Sequence, residues 1–106
     1  MRRSFNGATV VVSGAGNGLG RALALRFARG GARIVALDRD PGAAAAVTVE
    51  LAQAGFEALA CPCDVTDASA CQAAVEATVA RFGRIDVLVN NAGISHRSPF
   101  AATETA

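Results

Sequence analysis

The 106-residue sequence predicts an α/β fold, a doubly wound parallel sheet of four strands with three helices. Three observations predict it. Short apolar runs alternate with helical patterns along the chain, and strands separated by helices imply parallel pairing through right-handed crossovers. The runs Val10-Val11-Val12, Ile34-Val35-Ala36-Leu37 and Val87-Leu88-Val89 are continuously apolar, as strands covered on both faces are. A glycine-rich segment, Ser13-Gly14-Ala15-Gly16-Asn17-Gly18-Leu19-Gly20, joins the first strand to the first helix.

The elements follow in order. Residues 8–13 are β-branched and apolar and read as the first strand. Residues 18–29 read as the first helix, with Leu19, Leu23 and Phe27 at helical spacing, arginines between them, and Gly30-Gly31 to end it. Residues 33–38 form the second strand. Asp40 is a suitable N-cap with Pro41 at the first helical position, so a second helix is expected to run to about Ala54 and stop at Gly55. Residues 57–61 read as the third strand. Thr66 or Asp67 caps a third helix, whose buried face is expected to hold Cys71, Val75, Val79 and Phe82, and Gly83 ends it. Residues 86–90 form the fourth strand. Residues 94–106 carry no clear periodicity.

The composition narrows the function classes. The chain is 52% hydrophobic and its five aromatics are all Phe, so the expected core is Ala, Val and Leu. A net charge of +1 gives no case for nucleic acid or an anionic membrane as partner. The apolar stretches are too short to span a bilayer, and Asn6 and Gly7 interrupt any signal-peptide core after Arg2-Arg3. A cytoplasmic location is expected. Cys61 and Cys63 lack the further ligands of a closed zinc site, and His96 is distant in sequence, so the three cysteines are expected to be buried reduced thiols.

The glycine loop carries the chemistry. Gly14 suits the tight turn off the strand. Gly18 lets backbone approach a pyrophosphate, and Gly20 lets the helix lie close to the strand. Free N–H groups and the helix dipole then face an anion. A P-loop is excluded, because it needs Lys then Ser or Thr after its last glycine; Leu19 follows Gly18, and the chain contains no lysine. In a parallel sheet all strands end on one edge, so Ser13-Gly14, Asp38, Asp64 and Asn90 converge where open α/β sheets bind ligands. Asp38 ends the second strand, where a carboxylate accepts hydrogen bonds from ribose hydroxyls. Asp64-Val65 is placed to bond an adenine amino group and pack on the ring, or Asp64 is only a turn residue. Asn90-Asn91-Ala92-Gly93 puts small residues and amides beside a ribose, or serves as a turn that holds the sheet together. Gly14, Gly16, Asn17, Gly18, Leu19, Gly20, Asp38, Arg39, Asp64, Val65, Asn90, Ala92 and Gly93 are therefore the candidate cofactor-binding residues of a Rossmann-like fold, with no catalytic residue and no metal ligand among them.

In these features the chain resembles the classical short-chain dehydrogenase/reductase family. The resemblance rests on Gly14-x3-Gly18-x-Gly20, Asp64-Val65, and the stretch from Arg81 to Ile94 that contains Asn90-Asn91-Ala92-Gly93, and it covers nearly the whole chain. Ser13 stands where the family often has Thr, and Asn17 where NADP-dependent members often carry a basic residue. The resemblance implies the strand order 3-2-1-4, a nicotinamide dinucleotide as cofactor and a small alcohol or carbonyl substrate in a full-length form. The Asp38 carboxylate, set to face and repel a 2′-phosphate, selects NAD over NADP, with Arg39 beside it opposing that by partly neutralising the phosphate. The resemblance also implies a Tyr that moves a proton at the carbinol or carbonyl oxygen and a Lys that lowers its pKa, the cofactor carrying the hydride. The chain has no Tyr and no Lys, and the family's Ser, Tyr, Lys and helix Asn fall past residue 106. The expectation is one partial dinucleotide-binding domain over residues 1–106, inactive alone and without the family's oligomer, whose exposed fourth strand invites aggregation. His96 reads as a loop residue near the mouth of a substrate site. A non-catalytic nucleotide-binding module is the alternative function. A methyltransferase-like domain is a third reading, opposed by the Asn90–Gly93 segment and the Gly14–Gly18 spacing.

Overall fold

The computed structural model describes residues 5–91. Within them run β1 (Thr9–Ser13), α1 (Gly18–Arg29), β2 (Arg33–Asp38), α2 (Pro41–Gln53), β3 (Ala58–Pro62), α3 (Ala68–Phe82) and β4 (Val87–Val89). The strands are parallel, as the sequence predicts, in the order β3-β2-β1-β4 that the family resemblance implies. Val11 lies opposite Val35 and Leu88, and Val35 opposite Leu59.

Alternation along the strands divides the core into two layers. Val10, Val12, Ile34 and Ala36 pack with Ala24 and Ala28 of α1 and Val47 and Leu51 of α2. Val11, Val35, Leu37 and Cys61 pack with Cys71, Ala74 and Phe82 of α3. Each fully buried Val, Leu or Ile contributes about 1.5–3 kcal/mol of transfer free energy. The central strands, buried on both sides, therefore hold the fold.

Two helical faces differ from the sequence reading. On α1 the buried stripe is Gly20, Ala24 and Ala28, while Leu19 is 65% exposed and Leu23 and Phe27 are half-buried. Small residues face the sheet there, which lets the helix axis come close to β1. On α3 the buried residues are Cys71, Ala74, Thr78 and Phe82, and Val79 is exposed. Steps of four residues drift by about 40° each at 3.6 residues per turn, so the series 71, 75, 79 leaves the face. Mixed steps of three and four stay on it.

The ends of the elements have local causes. Asp40 caps α2 by accepting the Gly42 N–H at 2.9 Å, with Pro41 at the first turn. Asp67, rather than Thr66, caps α3, accepting from Ser69 and Ala70 at 2.9 and 3.3 Å. β3 is shifted by one residue, to Ala58–Pro62: Glu57 gives only its carbonyl, to the Ile34 N–H at 3.0 Å. β4 is shorter than expected, and side chains fasten both its ends. The Asp86 carboxylate accepts the Thr9 N–H at 2.8 Å, while its own N–H donates to the Thr9 carbonyl at 2.9 Å. That bond from Thr9, with the neighbouring Arg84, holds the Asp86 carboxyl below the usual range. At the other end the Ser13 hydroxyl lies within hydrogen-bond distance of Asn90 Oδ1. Among the described residues β4 pairs with β1 alone. No helix among them is long and apolar enough to cross a membrane.

Cys61, Cys63 and Cys71 are free and buried, and no cluster of the described residues could hold a metal. Burial pushes all three thiols up, and Cys63, beside Cys71, reaches about 12. Thiolate is the reactive form. In the folded chain at pH 8, a disulfide reagent such as DTNB is therefore expected to label the three cysteines slowly, and to label all of them rapidly once denaturant is added. Rapid labelling of Cys63 without denaturant would contradict its burial.

Candidate functional site

The parallel sheet delivers the ends of its strands to one edge, and the loop after β1 covers it. Gly14 turns the chain with φ +64°, a conformation that L side chains rarely adopt. The Ala15 N–H donates to the Leu37 carbonyl at 3.0 Å, which stitches the loop to the end of β2. The next N–H, of Gly16, donates to Asp38 Oδ2 at 3.0 Å. Asn17 is the N-cap of α1 but its side chain makes no capping bond. Its carbonyl accepts the first helical bond, from the Arg21 N–H at 3.2 Å. The N–H groups of Gly18, Leu19 and Gly20 thus precede the helix's own ladder and lie at the positive end of its dipole. No acidic residue occupies this first turn.

Two glycines of the loop differ in what surrounds them. Gly18 has φ +48° and open space where a Cβ would stand, so backbone is presented outward. A Cβ on Gly20 would stand 1.9 Å from the Gly14 carbonyl oxygen and 2.9 Å from the Asn91 amide nitrogen. That is the close helix–strand approach the sequence requires of this position.

Asp38, at the end of β2, is only 9% exposed. Its two carboxylate oxygens accept separate backbone donors, Gly16 N–H at Oδ2 and Asp40 N–H at Oδ1, each at 3.0 Å. Arg39 is exposed next to it. Asp64 follows β3 and turns the chain: one carboxylate oxygen accepts both the Thr66 hydroxyl at 2.7 Å and the Thr66 N–H at 3.0 Å. The Thr66 hydroxyl, then the Thr66 N–H, hold the Asp64 carboxyl below the usual range, with a smaller contribution from the Arg39 charge. Val65 puts its side chain into the α3-side core rather than onto the edge. The Ser13 hydroxyl lies 3.1 Å from Asn90 Oδ1 and 3.4 Å from the Val89 carbonyl, so Asn90 fastens β4 to β1.

The structure therefore brings Gly14, Gly16, Asn17, Gly18, Leu19 and Gly20 together with Asp38, and places Asp64 and Arg39 within electrostatic reach of one another. Ala92, Gly93 and His96 lie outside the described residues. The sequence reading named one neighbour of the loop, Asn91, only within the Asn90–Gly93 motif and not as a site residue, and did not single out another, Ala43. Asn91 backs Gly20, and Ala43, in the first turns of α2, stands 2.4 Å from where a Cβ of Gly16 would be. A small residue shortly after the Asp40-Pro41 helix start is the only sequence signal for the second, and the Ala43–Ala46 run hides it among equivalents.

A strand, a glycine loop, a helix N-terminus and an acid closing the second strand define a dinucleotide-type α/β half-sheet. The chain belongs to the short-chain dehydrogenase family, whose model matches residues 8–106. It is 38% identical over 96 residues to the 7α-hydroxysteroid dehydrogenase of Escherichia coli strain K12, covering 91% of this chain and 38% of that one. It is 42% identical over 100 residues to the D-threitol dehydrogenase of Mycolicibacterium smegmatis, covering 90% of this chain and 36% of that one. A solved 7α-hydroxysteroid dehydrogenase complexed with NADH and 7-oxo glycochenodeoxycholic acid superposes with a TM-score of 0.84 at 36% identity, over 93% of this chain and 39% of that one. The chain thus spans less than half the length of these relatives.

Proposed function

We propose that this chain is the NAD-binding half of a short-chain dehydrogenase, and that the whole enzyme oxidises an alcohol or reduces a carbonyl. The observation that carries the NAD reading is Asp38: a nearly buried carboxylate at the end of β2, hydrogen-bonded to the glycine loop. A similar protein solved with NADH supports a nicotinamide cofactor. The residues present fit such a group. The outward backbone at Gly18 and the free N–H groups of the first turn of α1 suit a pyrophosphate, and no acidic side chain in that turn repels it.

Each side chain then has a task. Asp38 accepts from the adenosine ribose hydroxyls with lone pairs that its two backbone donors leave free. Asp64 and Arg39 flank the adenine. Asn90, tied to Ser13, keeps the end of β4 at the height of the loop. The bound nicotinamide supplies the hydride donor or acceptor. No Tyr or Lys exists in these 106 residues to move the accompanying proton in the way the family does, so this chain alone binds cofactor without turnover. Three buried reduced thiols suit the cytoplasm.

Thermal melting with added ligand tests this reading. NAD at about 100 times its Kd is expected to stabilise the chain by about 2.7 kcal/mol. That is a rise of roughly 10–20 °C in Tm for a domain of this size. S-adenosylmethionine is expected to give no rise, and no NADH is expected to form when alcohols are added. A rise with S-adenosylmethionine and none with NAD would replace the dehydrogenase reading by a methyltransferase-like one. Nicotinamide reduction lost in His96→Ala would make His96 the base that takes the alcohol proton.

A further inference from the structure

We infer that Gly16 is a positioning residue for cofactor choice: its N–H and its lack of a side chain pin the Asp38 carboxylate in the orientation that accepts a ribose diol and repels a 2′-phosphate. The inference rests on the NAD reading above and goes further, assigning selectivity to a residue that carries no charge.

The geometry supports it at three points. First, both oxygens of Asp38 are fixed by backbone donors from different elements, Gly16 in the loop after β1 and Asp40 at the cap of α2, each at 3.0 Å. A carboxylate held at both oxygens must break two hydrogen bonds to rotate away when an anion arrives, whereas a carboxylate on a free side chain relieves repulsion by changing rotamer. Second, a Cβ on Gly16 would stand 2.8 Å from Asp38 Oδ2, inside normal contact, so any side chain there displaces the carboxylate directly. Third, the same Cβ would stand 2.4 Å from Ala43 Cβ and 3.0 Å from the Ala43 carbonyl carbon. The first turns of α2 thus press the loop against Asp38 from behind. The loop cannot retreat, because the adjacent Ala15 is fully buried and its N–H is bonded to the Leu37 carbonyl. Gly16, Asp38 and Ala43 form one rigid contact, and the charge of Asp38 acts through the position this contact gives it.

The test measures Kd for NAD and for NADP by titration calorimetry on the chain, on Gly16→Ala, and on the double variant Gly16→Ala with Ala43→Gly. Wild type is expected to prefer NAD; absence of that preference overturns the Asp38 reading itself, before any variant is considered. In Gly16→Ala the NAD:NADP preference is expected to fall by about tenfold or more, because NAD loses its acceptor while NADP loses its repulsion. A purely packing role would weaken both cofactors equally and leave the ratio unchanged, which overturns the inference. The double variant removes the Ala43 Cβ contact and keeps the Asp38 contact. It is expected to regain part of the melting temperature lost in Gly16→Ala, since the 3.0 Å contact to the residue-43 carbonyl carbon and a glycine inside α2 remain, while its ratio stays low. A ratio that returns together with stability overturns the inference. Amide hydrogen exchange in wild type gives an answer independent of the variants. The Gly16 amide is expected to be protected, and an unprotected Gly16 amide in the folded chain overturns the pinning.

Discussion

Gly20→Ala is expected to lower both stability and NAD affinity more than any other single-methyl addition in the loop. The added Cβ would overlap the Gly14 carbonyl oxygen at 1.9 Å and crowd the Gly14 carbonyl carbon at 2.7 Å. These are backbone atoms, so no rotamer change relieves the contact, and α1 must move off β1. Overpacking a well-packed site costs about 1–3 kcal/mol, and a backbone clash belongs at the top of that range. For a domain of about this size, 3 kcal/mol corresponds to a fall in Tm of roughly 12–24 °C. The displaced helix carries the N–H groups proposed to face the pyrophosphate, so NAD affinity is expected to drop by about a hundredfold or more. Gly18→Ala is the control. Nothing lies within 4 Å of its Cβ and only φ +48° opposes it. The expected cost is about 1–2 kcal/mol. Melting curves on the two variants decide the matter, because Gly18 itself is assigned to the pyrophosphate and only its stability is a control, and equal losses of stability in both would contradict the packing role of Gly20.

Asp38→Asn is expected to reverse cofactor preference. A carboxylate about 4 Å from a 2′-phosphate is repelled by roughly 4 kcal/mol at an effective dielectric of about 20, less in salt. Hydrogen bonds from ribose hydroxyls to a charged acceptor contribute about 1.5–3 kcal/mol to NAD binding. Removing the charge takes away both effects, so the NAD:NADP ratio is expected to shift by about two to three orders of magnitude toward NADP. The exposed Arg39 beside it adds to that shift by meeting the phosphate. Stability falls as well. Asp38 accepts Gly16 and Asp40 N–H groups on different oxygens, and asparagine offers one oxygen for the two. The donor left unpaired costs about 1–3 kcal/mol. An Asn variant that keeps the wild-type preference in low salt would show that the carboxylate does not read the ribose.

What the sequence made legible was local and periodic. Asp40-Pro41 and the Gly30-Gly31 pair mark helix ends, and the structure puts a cap or a stop at both. Four apolar runs separated by three helical patterns were enough for parallel pairing through right-handed crossovers, while the order 3-2-1-4 came with the family resemblance. Gly14, Gly18 and Asp38 were legible because each is a residue type chosen for backbone shape or charge at the edge of a sheet. Helix faces were harder to read. Hydrophobicity drew attention to Leu19, Leu23 and Val79, yet close approach to the sheet selects small residues such as Ala24, Ala28 and Ala74. Ala looks alike in every context, so Ala43 behind Gly16 was invisible without coordinates. The double anchoring of Asp38 was invisible for a related reason: its donors are backbone N–H groups, and every residue but proline has one.

The central claim is that a dinucleotide lies across the edge made by the glycine loop, Asp38, Asp64 and Asn90. Titrating NAD into the isotopically labelled chain and following the backbone amide resonances tests it most directly. The account predicts saturable shifts at Gly14, Gly16, Gly18, Leu19, Gly20, Asp38, Arg39, Asp64 and Asn90, and none at Thr9, Arg33 or Asp86 on the opposite edge of the sheet. A folded chain whose resonances stay unmoved by NAD, or move at Thr9, Arg33 and Asp86 instead, would contradict it.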